Sequence, residues 1–178
     1  MNFKEDRLES INRAKAILAD ETVVILDTET TDLNGEIIEI AIINTEGETL
    51  LNKRIKPQTN YMHPKAIATH GITLKVLESE PEFKEVYPEI QSITKDKHVV
   101  IYNADFDTSR LQHDCQLSEL EPFQFKVSCA MLIYSQFVGD WNDYHGNYRW
   151  QRLPSGDHSA LGDCLATLRV LNKMAESQ

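Results

Sequence analysis

The stretch Val23-Val24-Ile25-Leu26-Asp27-Thr28-Glu29-Thr30 sets the architecture and carries the first hint of chemistry. Four apolar residues bounded by polar ones read as a buried strand, and that strand is expected to end at Asp27. Alternate residues of an extended chain project to one face, so Asp27 and Glu29 point the same way. Two carboxylates side by side repel each other, and a divalent cation between them removes the repulsion. The plainer alternative is a pair of solvated acids at a fraying strand end.

Outward from this strand, Ile37 to Ile43 reads as a second strand after the turn at Gly35. Leu50 to Ile55 reads as a third, more polar and nearer an edge. Short loops make the three an antiparallel meander. Phe83, Val86, Tyr87, Ile90 and Ile93 predict a helix, and Val99 to Tyr102 a short buried strand. A helix within Asn103 to Gln116, a brief strand near Phe125 to Val127 and a helix over Ala130 to Val138 follow. The last helix starts near Ala160, with Leu161, Leu165, Leu168 and Leu171 on one face. Leu8, Ile11, Ala14 and Leu18 predict an N-terminal helix over about residues 5–19. Strands followed by alternating helices and strands imply an α/β sandwich around a mixed sheet of about five strands. Helical crossovers place the fourth strand parallel to the first.

The chain of 178 residues suits one domain, 1–178. Its 41% hydrophobic and 26% charged content is that of a globular protein. No apolar run is long enough for a membrane, and the charged N-terminus lacks a signal core. Cys115, Cys129 and Cys164 are widely spaced; they read as reduced thiols of a cytoplasmic protein, without zinc spacing. The formal charge of −10 excludes tight binding of nucleic acid by phosphate neutralisation alone. An acidic enzyme can still take a phosphodiester if metal ions supply the local positive charge, and weak, transient binding is then expected.

Two further segments carry chemistry. Asn103-Ala104-Asp105-Phe106-Asp107 follows the fourth strand, at the carboxyl end where open α/β sheets bind ligands. One of its aspartates should cap the helix; Asp105 is expected there, leaving Asp107 to approach Asp27 and Glu29. His158-Ser159-Ala160-Leu161-Gly162-Asp163 opens the last helix. Five residues turn about 140° around a helix, so His158 belongs on the preceding loop, behind Pro154-Ser155-Gly156-Asp157.

Asp27-Thr28-Glu29-Thr30, Asn103 to Asp107 and His158 to Asp163 together resemble the three motifs of the DEDD (DnaQ-like) 3′–5′ exonucleases. The histidine resembles that of the DEDDh branch, which includes the epsilon subunit of DNA polymerase III and RNase T. Thr69-His70-Gly71-Ile72 is similar to a His-Gly-Ile element of the same branch. The resemblance implies an RNase H-like sheet of order 3-2-1-4-5 and two Mg²⁺ or Mn²⁺ ions. It further implies that Asp27 bridges both ions, that Glu29 and Asp163 help hold the first, and that Asp107 supports the second. His158 would take the proton from the attacking water, with nucleoside monophosphates as product. His70 and Ile72 would line the pocket for the terminal nucleotide, with Thr30, Asn103 and Phe106 as further substrate contacts. Tyr102 and Cys164 depart from the residues common in relatives, a histidine and an alanine.

Between Asp140 and Arg152 fall both tryptophans, with Arg149 beside Trp150. Aromatics interleaved with arginines can stack on unpaired bases. They could equally form a small satellite core over the last helix. The expected activity is removal of nucleotides from single-stranded 3′ ends, of DNA or RNA, with a polymerase or a second copy of the chain as candidate partner. The competing reading is a catalytically silent interaction module on the same fold. A calcium-binding structural protein lacks its EF-hand spacing.

Overall fold

A computed structural model describes residues 2–178; Met1 lies outside them. Its main sheet has five strands in the order β3-β2-β1-β4-β5, an RNase H-like arrangement. These are β1 (Val23–Thr30), β2 (Ile37–Asn44), β3 (Thr49–Arg54), β4 (His98–Ile101) and β5 (Lys126–Cys129). The first three form the antiparallel meander, and β4 and β5 continue parallel to β1. Strand β1 runs three residues beyond the expected end at Asp27, because its ladder with β2 continues to Thr30 opposite Ile37.

Both faces of the sheet are covered, as parallel pairing demands. Val23, Ile25, Ala41, Ile43 and Val100 face helices α1 (Phe3–Ala19), α6 (Ala130–Val138) and α7 (Ala160–Ala175). Val24, Leu26, Ile40, Ile42 and Val99 face α4 (Phe83–Thr94) and α5 (Ala104–Leu117). By strand alternation Asp27 and Glu29 continue the α7 face, while Thr28 points toward α5. Helix α1 buries Ile11, Ala14 and Ile17 but leaves the expected Leu8 exposed.

Several short elements escape periodicity. Helices α2 (Pro64–His70) and α3 (Leu74–Leu77) are too short to show an amphipathic repeat; α2 begins with proline at its first turn and ends at Gly71 in the left-handed conformation. A two-stranded hairpin, β6 (Trp141–Asn142) and β7 (Asn147–Tyr148), crosses the tryptophan segment. The expected cap of α5 is corrected: Asn103 is the N-cap residue and Asp105 lies exposed in the first turn. No helix among the described residues is long and apolar enough to cross a membrane.

Candidate active site

The pairing of β1 with β4 runs only from Val23 to Ile25. Beyond it the two strands part, opening a crevice at their carboxyl ends. The N–H of Thr28 there needs another acceptor, and Asp107 supplies it from α5. Its Oδ1 accepts from Thr28 N at 3.0 Å and Thr28 Oγ1 at 2.7 Å. Asp107, Leu111 and Asp114 recur on the buried face of α5. Asp114 plays a matching structural part, accepting from Ile37 N at 2.8 Å.

On the other face, α7 delivers Asp163. Its Oδ1 accepts from the backbone N–H of Asp157 at 2.9 Å and of His158 at 3.2 Å. This folds the loop 154–159 back over the start of the helix. His158 is exposed and sits in the left-handed region, with φ of 59°, a conformation that costs energy and recurs at functional sites. Gly156 is required by the close approach: a Cβ there would lie 2.9 Å from Asp163 Oδ1. Cys164 packs beneath, its thiol toward the carbonyls of Ile25 and Ala41. Tyr102 donates to Gln151 O at 3.0 Å, tying the incoming segment to β4.

Ligand atoms of Glu29, His158 and Asp163 all lie within 4.8 Å of one another. Desolvation, and then the charges of Asp107, Asp163, Glu29 and Glu39, hold the Asp27 carboxyl well above the usual carboxylate range. Glu29 is pushed up to about 8, by desolvation first and then by Asp163, Glu39 and Asp107. Asp107 rises to about 7 through desolvation, against the pull of the Thr28 hydrogen bonds. Among the described residues no Lys or Arg pairs with Asp27, Glu29, Asp107 or Asp163. Carboxylates gathered out of water without a cation are a poor structural choice. Carboxylate oxygens suit a hard divalent cation such as Mg²⁺ or Mn²⁺, so Asp27, Glu29, Asp107 and Asp163 fit such ions.

Beside Glu29 lies a cavity of about 410 Å³, lined also by Thr30, Asp32, Leu33, His63, Lys65, Ala66, Thr69, His70 and Phe106. His70 is the last residue of α2. Its Nδ1 accepts from Ile72 N at 3.0 Å, which leaves Nε2–H to donate to Thr30 O at 3.2 Å. Burial lowers its pKa, consistent with this neutral form. Ile72 is buried with Ile38, Met62 and Leu77 in a small core that meets the cavity wall through Ala66, and is not itself among the lining residues. Asn103 is exposed at the start of α5.

Arg149 and Trp150 stand apart from the acids, on a shallow surface with His145 and Tyr148. Trp141 packs against Tyr148, whose hydroxyl donates to Asp6 on α1 at 2.6 Å. The satellite core therefore leans on α1 and includes one tryptophan; Trp150 is 71% exposed. Arg152 lines a second cavity with His158 and Asp163. Leu33, Lys65 and Arg152 were missed as site residues. Leu33 had a signal, an apolar residue within the polar turn Thr31-Asp32-Leu33-Asn34-Gly35.

Residues 24–171 match the family model RNase_T, described as Exonuclease. The chain belongs to this exonuclease family. It is 33% identical over 183 residues to the uncharacterized exonuclease CP81 of Escherichia phage 186, covering 92% of this chain and 93% of that one. The DNA polymerase III epsilon subunit of Rickettsia felis is 31% identical over 163 residues, 83% of this chain and 71% of that one. With the PolC-type DNA polymerase III of Bacillus cereus the identity is 27% over 172 residues, and the chain spans only 12% of that polymerase. Exonuclease X, in a complex with 5′-overhanging duplex DNA, superposes with a TM-score of 0.61 at 25% identity, covering 88% of this chain and 94% of that one. The exonuclease family places the protein among nucleases that hydrolyse phosphodiester bonds.

Proposed function

We propose that this exonuclease is of the DEDDh type and works in the 3′–5′ direction on single-stranded ends, releasing nucleoside monophosphates. The observation that carries this reading is the convergence of Glu29, His158 and Asp163 within 4.8 Å, beside Asp27 and Asp107, with none of the four acids paired to a lysine or arginine among the described residues. Two Mg²⁺ or Mn²⁺ ions held by Asp27, Glu29, Asp107 and Asp163 would supply the charge that neutralises the phosphate and acidifies the attacking water. His158 takes the proton of that water; it is solvent-facing, so the proton can pass on to bulk. The left-handed backbone of His158 and the Asp163 hydrogen bond to its N–H aim the imidazole at this task. The 410 Å³ cavity is of a size for one nucleotide. Thr30, Phe106 and His70 line it, with Asn103 and Ile72 flanking or supporting it. Arg149 and Trp150 extend the strand's path beyond Arg152.

The domain spans residues 1–178, with α1 braced against α6 and α7. The epsilon-subunit relatives support a polymerase as partner and the cytoplasm as location. The test is a 5′-labelled single-stranded DNA or RNA incubated with Mn²⁺ or EDTA, with Asp27→Ala as control. Stepwise shortening from the 3′ end that needs both metal and Asp27 is the expected result. Internal cleavage, or shortening that survives EDTA or Asp27→Ala, overturns the reading.

A further inference from the structure

Glu39 is a buried carboxylate that the reaction as derived does not use. It lies on β2 directly opposite Glu29 in the antiparallel ladder and is 8% exposed. Placing another acid beside Glu29 raises the electrostatic cost of the site unless its oxygens are occupied. They are. Oε2 accepts from the backbone N–H of Ala160 at 2.9 Å, and Oε1 from Arg54 Nε at 3.4 Å.

Ala160 is the first residue of α7, two after His158 and three before Asp163. The first N–H groups of a helix have no partner within it. The Ser159 side chain takes that of Gly162, and Glu39 takes that of Ala160. On the other side, His158 N donates to Asp163 Oδ1. The left-handed turn at His158 is thus held from both flanks, and Glu39 is the flank anchored in the sheet.

We infer that Glu39 is a positioning residue: by accepting the Ala160 N–H it fixes the start of α7 against β2 and holds the His158 imidazole beside Glu29 and Asp163. The inference rests on His158 being the proton acceptor proposed for this site. Because Glu39 acts through His158, its removal costs nothing further once the imidazole is gone. A carboxylate that merely stabilises the helix would lower turnover whether or not His158 is present.

The experiment measures kcat, KM and melting temperature with Mn²⁺ on a labelled single-stranded oligonucleotide. The variants are Glu39→Met, Glu39→Gln, His158→Ala and the Glu39→Met/His158→Ala pair. His158→Ala should lower kcat by about 10²–10⁴-fold. Glu39→Met should lower it by about tenfold or more with KM unchanged. Glu39→Gln, which keeps an acceptor oxygen at the same reach, should retain about half or more of kcat. The double variant should be no slower than His158→Ala alone. Full additivity in the double variant overturns the inference, as does a Gln variant as slow as the Met variant. If Glu39→Met does not fold, Glu39→Asp, which withdraws the acceptor by one methylene, takes its place with the same expectations. A His158→Ala enzyme with undiminished turnover removes the proposed base itself, and the Glu39 inference with it.

Discussion

Glu29 and Asp107 make the metal-free protein sensitive to pH in an unusual direction. Their folded pKa values rise to about 8 and about 7, whereas in an unfolded chain both ionise near pH 4. Between those limits the folded state binds more protons than the unfolded state, so stability falls as pH rises. Asp114, raised to about 6, acts in the same sense. The lowered acids Asp20 and Asp157 act oppositely below about pH 4. The lowered histidines His70 and His98 act oppositely below about pH 6.5, where an unfolded imidazole still binds its proton; above that pH the raised carboxyls dominate. In EDTA the protein should therefore melt higher at about pH 6.5 than at about pH 8.5; a flat or rising profile would show that the acids are paired by something else. Gly156 gives a second residue-scale prediction. A methyl group there would meet the Asp163 oxygen that holds the His158 loop, so Gly156→Ala should cost about 10- to 100-fold in kcat. Unchanged turnover in a folded Gly156→Ala protein would show that the loop can shift freely. At this scale the sequence was legible for placement: Asp107 turns in toward Thr28 while Asp105 faces solvent. It was silent on Glu39 and Tyr102, whose roles arise from partners 121 and 49 residues away.

Among the elements, those with long apolar periodicity were readable: β2, α4, α6 and α7 lie where their patterns put them, and β1 starts where expected but runs on to Thr30. Helix α2 was not, because seven residues span barely two turns and bury none of their own side chains. Its start depends on Pro64 and the His63 cap, its end on Gly71. Hairpin β6–β7 was hidden because two-residue strands carry no alternation. It is braced by Trp141 on Tyr148 and by Tyr148 on Asp6, which leaves Trp150 free to stack on a base. Trp150→Ala should raise KM for a single strand long enough to reach it by about five- to 150-fold, at nearly constant kcat. Equal KM values for the variant and the unaltered protein on long and short strands would remove the hairpin from the substrate path.

The whole molecule concentrates its charge problem in one place. A net charge of −10 offers little attraction to nucleic acid, and the buried acids at the carboxyl ends of β1 and β4 deepen that deficit. Fold and acid cluster follow from the same sheet topology, since the strand pairing that orders β3-β2-β1-β4-β5 also brings Asp27, Glu29, Asp107 and Asp163 to one crevice. On the function proposed above, this cluster is built around divalent cations. Melting the unaltered protein and Asp27→Asn, each in EDTA and in Mn²⁺, tests it without any substrate. Asp27→Asn should melt higher than the unaltered protein in EDTA, Mn²⁺ should raise the melting temperature of the unaltered protein, and the variant should lose most of that rise. A lower melting temperature for Asp27→Asn in EDTA, with no response of either protein to Mn²⁺, would contradict it.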